Sequence, residues 1–196
     1  MTRETLPPGY FDAVYAARDD PWDLESSAYE ADKYEQTMRA LAGRRFHRGF
    51  EIGCSIGVLT EMLAASCDAL LAVDASEAPL PRARERCAGL EQVRFERMQV
   101  PAEFPTGRFD LVVTSEVAYY WSPDDLALAC RRIESALEAG GWWLLVHWTP
   151  PVHDYPLTGD EVHDFVRGRS GDDAPLRHVT GRREARYRLD LFGKRH

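Results

Sequence analysis

The sequence predicts a doubly wound α/β domain: a mostly parallel sheet of seven strands with helices on both faces. Three observations carry that expectation. Apolar, strand-like runs alternate with helical segments along most of the 196 residues, which calls for right-handed crossovers between parallel strands. The first clear strand runs into a glycine turn, Phe50-Glu51-Ile52-Gly53-Cys54-Ser55-Ile56-Gly57. The next strand ends on an acid, Asp74, 21 positions after Gly53.

Taken in order, residues 1–26 are polar and broken by Pro7-Pro8-Gly9 and Asp19-Asp20-Pro21-Trp22, and read as an irregular arm. Tyr29, Tyr34, Met38 and Leu41 recur at helical spacing, so a helix is expected over about 26–45, with Gly43 near its end. A short strand follows at about 48–52. The helix after the glycine turn carries Leu59, Met62 and Leu63. Residues 69–74 read as a buried strand, and Ala75-Ser76-Glu77 starts a helix to about Cys87. Residues 93–98 alternate as a third strand, and 110–115 form a fourth. Ser122 caps the following helix, Pro123 suits its first position and Asp125 sits at the third capping-box position. Gly140-Gly141 is expected to stop that helix. Residues 142–148 make the fifth strand, before the breakers Pro150-Pro151. A short helix near 158–167 precedes two last strands, near 176–180 and 186–192. No internal repeat or second domain is evident. A single domain is expected over 1–196: an arm and helix acting as a lid (1–45), a cofactor-binding core (46–150), and a C-terminal helix and strand pair (151–196).

Composition narrows the function. Hydrophobic residues are 44% and charged residues 29%, as in soluble globular chains. A net charge of -8 argues against binding duplex DNA, which depends on neutralising phosphates. From Arg167 to His196 there are nine Arg/Lys against four Asp/Glu. That tail reads as a solvated basic face or as a patch for an acidic substrate or partner. Cys54, Cys67, Cys87 and Cys130 form no C-x-x-C pair, and no histidine cluster has zinc spacing, so no metal is expected. The N-terminus lacks the apolar stretch of a signal peptide, and no apolar run is long enough to span a bilayer. A reduced, cytoplasmic setting without membrane or nucleic-acid partner is the expectation.

Gly53-Cys54-Ser55-Ile56-Gly57 fits the G-x-S-x-G pattern of a hydrolase elbow, with Ser55 as nucleophile. An elbow needs earlier strands and an oxyanion loop, and neither precedes it here. The cofactor reading explains more residues. The glycines permit a backbone turn close to a ligand, the following helix offers free N–H groups, and an acid at the next strand's end can take both hydroxyls of a ribose. The loop lacks G-x-G-x-x-G spacing. Glu51 suits a ligand's ammonium group, which favours S-adenosylmethionine over NAD. Ligands of such sheets bind beyond the carboxyl ends of the strands.

On these residues the chain resembles the class I S-adenosylmethionine-dependent methyltransferases, whose fold is Rossmann-like. Glu51–Gly57 resembles their first motif and Asp74 their ribose acid. Phe109-Asp110-Leu111-Val112-Val113 resembles their fourth strand, and Leu137-Glu138-Ala139-Gly140-Gly141 the approach to their fifth. Within the class it is similar to the NodS-type N-methyltransferases, through Asp19-Asp20-Pro21-Trp22, Glu51-Ile52-Gly53-Cys54 and Ser115-Glu116-Val117-Ala118-Tyr119-Tyr120. The resemblance implies methylation of a small-molecule amine, such as a deacetylated amino sugar, with S-adenosyl-L-methionine converted to S-adenosyl-L-homocysteine. It implies cofactor contacts from Glu51, Gly53, Cys54, Ser55, Gly57, Asp74, Ala75, Ser76, Gln99, Val100, Ser115 and Glu116. Gln99 stands where the class usually has an acid for the adenine amino group, and its carbonyl can still accept.

Methyl transfer from a sulfonium needs an acceptor lone pair, so a base or a desolvating pocket helps an amine. Glu116, beside the fourth strand's end, is the first candidate base, and His147, at the fifth strand's end, is the second. Tyr119, Tyr120 and Trp121 are expected to wall the acceptor pocket. Trp22 and Tyr29, on the arm and first helix, are candidates for folding over the cofactor as a lid and excluding water. A nicotinamide-dependent oxidoreductase and a non-catalytic cofactor-binding regulator are the competing readings.

Overall fold

The computed structural model describes residues 3–196. The chain divides into two compact units, Pro7–Gln99 and Val100–His196, the latter taking in the N-terminal segment up to Leu6.

The first unit runs α1 (Pro8–Ala17), α2 (Ala28–Ala40), β1 (Phe46–Ile52), α3 (Val58–Ala64), β2 (Cys67–Asp74), α4 (Leu80–Arg86) and β3 (Val93–Arg97). Strand β2 pairs with β1 and β3, both in parallel, so the C-terminal ends of β1 and β2 lie side by side, with Ile52 opposite Val73. Phe50 and Ile52 of β1 and Leu70, Ala72 and Val73 of β2 are buried, as strands covered on both faces require. Helices α3 and α4 follow the parallel crossovers and pack on β2 and β3.

The second unit contains β4 (Phe109–Ser115), a 3-10 turn (Ala118–Tyr120), α5 (Pro123–Ala136), β5 (Leu137–Trp148), α6 (Gly159–Gly168), β6 (Leu176–Arg183) and β7 (Tyr187–Lys194). Strands β4 and β5 are parallel, and β7 runs antiparallel between β5 and β6. Ser122 Oγ accepts from the Asp125 N–H at 3.1 Å and Pro123 opens α5 as expected. Leu126, Ala129, Cys130 and Ile133 fall on one buried face of that helix, where each large aliphatic contributes about 1.5–3 kcal/mol. Thr158 and Glu161 form a full capping box on α6.

Four expectations are corrected. The arm expected to be irregular over 1–26, of which residues 1–2 lie outside the described residues, contains helix α1: Pro8 stands in its first turn, a place that needs no N–H, and Phe11 and Tyr15 bury one face. Asp20 caps the following turn, accepting from the Leu24 and Glu25 N–H groups. Helix α4 begins at Leu80, not at Ala75, because Ser76 N–H is spent on Asp74 instead of starting a helix. Helix α5 ends at Ala136, before Gly140-Gly141. Leu137 turns extended (φ -64, ψ 138) and β5 begins there, and Gly140 (φ 77) serves a bulge opposite β4 instead of a helix stop. The basic tail is mostly spent internally: Arg169 on Glu134, Arg183 on Asp160, Arg188 on Asp164 and Asp190, and Lys194 on two carbonyls. It is a paired face more than a free patch. The four cysteines are buried, and none of them forms a disulfide.

Candidate functional site

In the first unit the glycine turn lies at the end of β1. The N–H groups of Gly53 and Cys54 reach Val73 O of β2, at 2.8 and 3.0 Å. Gly53, Ser55 and Gly57 have φ of 84, 49 and 81. At Gly57 a Cβ would come within 3.0 Å of Ala83 Cα, so α4 can approach only a glycine. Arg86 of α4 donates to Ile56 O at 3.1 Å and ties the turn down.

Two acids lie beside the turn. Asp74, at the end of β2, accepts from Ser55 N–H and Ser76 N–H, each at 3.0 Å. Burial pushes its pKa up to about 6 against those hydrogen bonds. Each oxygen keeps lone-pair capacity for a ligand hydroxyl. Glu51 is 1% exposed, and burial pushes it up to about 7. The neighbouring Thr60 hydroxyl pulls the other way, yet no hydrogen bond of ordinary geometry reaches Glu51 Oε2 or Thr60 Oγ1 among the described residues. The Oε2 oxygen of this carboxylate is unsatisfied. Native proteins rarely leave such a group buried without a partner. A cationic ammonium at Glu51 and a diol at Asp74 fit the acceptor capacity these two acids leave open.

Helix α1 is latched to the same loops. Tyr15 Oη lies 2.6 Å from Ser55 Oγ, and Asp12 accepts from Ser76 Oγ at 2.5 Å. Trp22 packs edge-on against Tyr15 at 5.5 Å. Burial holds the Tyr15 hydroxyl in its protonated form. Ser55 therefore meets a phenol and not a base, which removes the hydrolase reading. Ala75 lies between Asp74 and Ser76, Cys54 is buried in the small cluster with Ala72 and Leu80, and Gln99 closes the unit two residues after β3. Tyr29 sits at the start of α2 with the Lys33 ammonium 5.2 Å over its ring.

In the second unit the end of β4 carries Ser115 and Glu116. Glu116 has φ 54, a costly conformation for a residue with a side chain. Its Oε2 accepts from Tyr119 Oη at 2.6 Å and from Trp148 N–H at 2.9 Å. Burial, then the Glu116 charge, push the Tyr119 hydroxyl well up, so it stays a donor. Tyr155 stacks on Tyr119 at 5.1 Å and meets Tyr120 edge-on at 4.7 Å. Trp121 is buried beside them, and Val100 opens the unit buried.

His147 is corrected. It does not project freely from β5: it is fully buried, its Nε2 accepts the Ala118 N–H at 3.1 Å, and its Nδ1 faces His163 Nε2 at 3.1 Å. With both nitrogens engaged it has no lone pair to offer an amine. Sequence reasoning missed Asp12, Tyr15, Tyr155, His163 and Asp190. The spacing of Phe11 and Tyr15 was a readable signal of a helix. The others are joined only by tertiary folding.

No group of three or more His, Cys, Asp or Glu among the described residues is arranged to hold a metal. No described helix is long and apolar enough to cross a membrane.

The family model for Nodulation protein S (NodS) matches residues 14–145. Nodulation protein S of Bradyrhizobium diazoefficiens is 36% identical over 107 residues, 53% of this chain and 50% of that protein. The chain spans about half the length of the curated relatives it matches. Among solved structures, N-methyltransferase NodS from Bradyrhizobium japonicum WM9 in complex with S-adenosyl-L-homocysteine aligns at a TM-score of 0.83 and 22% identity, over 96% of this chain and 98% of that one. That similarity shows the fold, the Rossmann-like class I methyltransferase fold with its mostly parallel strands and a terminal antiparallel hairpin. A crystal structure of a candidate methyltransferase from Pseudomonas syringae aligns at 0.74 and 31% identity, over 86% of this chain and 100% of that one.

Proposed function

Because the chain belongs to the NodS family, we propose that it is an S-adenosylmethionine-dependent methyltransferase acting on the amine of a small molecule, such as a deacetylated amino sugar. The observation that carries this reading is the buried, unsatisfied carboxylate oxygen of Glu51 beside a glycine turn and a strand-end acid. When bound, S-adenosylmethionine supplies an electrophilic methyl on a sulfonium: an amine lone pair forms the new C–N bond as the C–S bond breaks, leaving S-adenosylhomocysteine and one proton.

The chain's own residues divide the remaining work. Glu51 takes the ammonium of the cofactor's amino-acid end, in a charge-assisted hydrogen bond made strong by burial. Asp74 takes the ribose hydroxyls, with its oxygens pre-aimed by Ser55 and Ser76 N–H groups. Gly53, Cys54, Ser55 and Gly57 let the backbone pass close to the ligand, and Ala75, Ser76 and Gln99 of the same unit line the rest. Trp22 and Tyr29 belong to the segment that covers it. Glu116 receives the acceptor's proton. Tyr119 and Trp148 hold its carboxylate in one orientation for that proton transfer. Tyr120 and Trp121, with Tyr155, wall the acceptor side and exclude water.

An NAD-dependent oxidoreductase is less well supported, because a buried acid beside the turn repels a pyrophosphate. The test is transfer of a radiolabelled methyl group to a panel of amines, glucosamine oligomers and small acids. Labelled amine is expected. Labelled acid alone, or protection against thermal unfolding by NADH and not by S-adenosylhomocysteine, contradicts the reading.

A further inference from the structure

Three buried side chains form a continuous hydrogen-bonded chain in the second unit. His147 comes from β5, His163 from α6 and Asp190 from β7, with exposures of 0, 0 and 1%. A backbone N–H only donates, so the Ala118 contact makes His147 Nε2 an acceptor and leaves its proton on Nδ1. That proton is donated to His163 Nε2 at 3.1 Å. His163 must then carry its own proton on Nδ1, which donates to Asp190 Oδ2 at 2.7 Å. Asp190 also accepts from Arg188 Nε at 2.8 Å and His178 Nε2 at 2.6 Å. These proton positions are assigned from the partners, and each follows from the one before.

The chain ends on a functional element. Ala118 opens the 3-10 turn, and the next residue of that turn, Tyr119, donates to Glu116. Helix α6 is pressed onto the end of β5: a Cβ at Gly159 would come within 2.1 Å of Trp148 O, and Trp148 N–H is the second donor to Glu116. We propose that His163 is a positioning residue for Glu116. It fixes the His147 tautomer that anchors the Ala118 amide, and so fixes the turn that holds Tyr119 on the carboxylate. This rests on the methyl-transfer reading of Glu116. Stability alone does not call for the arrangement, since well-packed apolar side chains often replace a buried ionic group without loss. All three residues also lie beyond residue 145, where the family match ends.

The test compares His163→Phe and His163→Gln with the wild-type full chain. Nitrogen NMR reads the His147 tautomer, amide exchange reads Ala118, calorimetry reads S-adenosylhomocysteine affinity, and labelled methyl transfer reads kcat. Expected are a Nδ1-protonated His147 in the wild type and, in His163→Phe, faster Ala118 exchange and kcat lower by about 10–100-fold at unchanged cofactor affinity. Gln, which can accept and donate at once, restores most of both. Wild-type Ala118 protection and kcat in a folded His163→Phe overturns the proposal. So does a His147 proton on Nε2 in the wild type, a result that needs no variant. Absence of any methyl transfer by the wild type defeats the activity reading instead, and the tautomer and exchange measurements still decide the chain.

Discussion

Glu51 and Asp190 are equally buried acids, one in each unit, and their proton affinities move in opposite directions. Glu51 is pushed up to about 7 because burial acts on it with little to offset it. Asp190 is held below its usual range, since His163, His178 and Arg188 outweigh the burial that acts on it too. The difference teaches what each acid is for. Asp190 is satisfied within the protein, by His163, His178 and Arg188. Glu51 keeps one oxygen without a hydrogen-bond partner, which on the proposed reading a cofactor ammonium satisfies.

Removing Asp190 should have the largest effect. Asp190→Ala leaves buried donors without a partner and should cost about 3–5 kcal/mol of stability in denaturant titrations. A loss no larger than that of a surface substitution would break the contrast. Asp74→Ala should leave stability nearer to wild type but weaken S-adenosylhomocysteine by about 30–100-fold in calorimetry, the worth of lost hydrogen bonds to a charged group. Unchanged affinity would remove Asp74 from the ribose.

The two acids also predict opposite pH behaviour. Glu51 binds a proton more tightly in the folded protein (about 7) than a free glutamate carboxyl does (4.5). Between those values the folded state holds more protons, so its contribution to stability falls as pH rises from about 4.5 to 7. Asp190 is lowered, so its contribution is present above 3.8 and lost as pH falls below it. His163 is lowered by burial, so the unfolded chain protonates first below 6.5 and stability falls there with falling pH. Subtracting the Glu51→Gln curve from the wild type isolates the first slope, on the order of 2–3 kcal/mol; coincident curves would show Glu51 is not perturbed. The smallest effect is expected at Ser55. Ser55→Ala loses one hydrogen bond to Tyr15, about 1 kcal/mol, and should change activity only a few-fold; a loss of several orders of magnitude in a folded variant would restore it as a nucleophile.

Sequence was a good guide where one local rule decided the outcome. The turn after β1, the acid ending β2 and the Ser122 cap each need particular residue types at fixed spacing. It misled at Pro7-Pro8-Gly9, where the same proline that breaks a helix also starts one. It misled at Gly140-Gly141, where a left-handed residue serves a strand bulge as readily as a helix stop. His147 was readable as a strand-end residue, but its partners come from Ala118 and from His163, which is 16 positions on. No pattern of spacing exposes a contact made by packing α6 against β5. Glu51 was legible by position, and only the structure adds that one of its oxygens has no partner.

The central claim is that Glu51 waits for the cofactor's ammonium. Titrating S-adenosylhomocysteine into the wild type and Glu51→Gln between about pH 6 and 8 tests it directly. A cation at Glu51 favours the ionised acid, so binding to the wild type should release a proton below about 7 and tighten as pH rises. The Gln variant should bind more weakly, with little pH dependence. Equal affinity and equal pH dependence in both proteins would contradict the account.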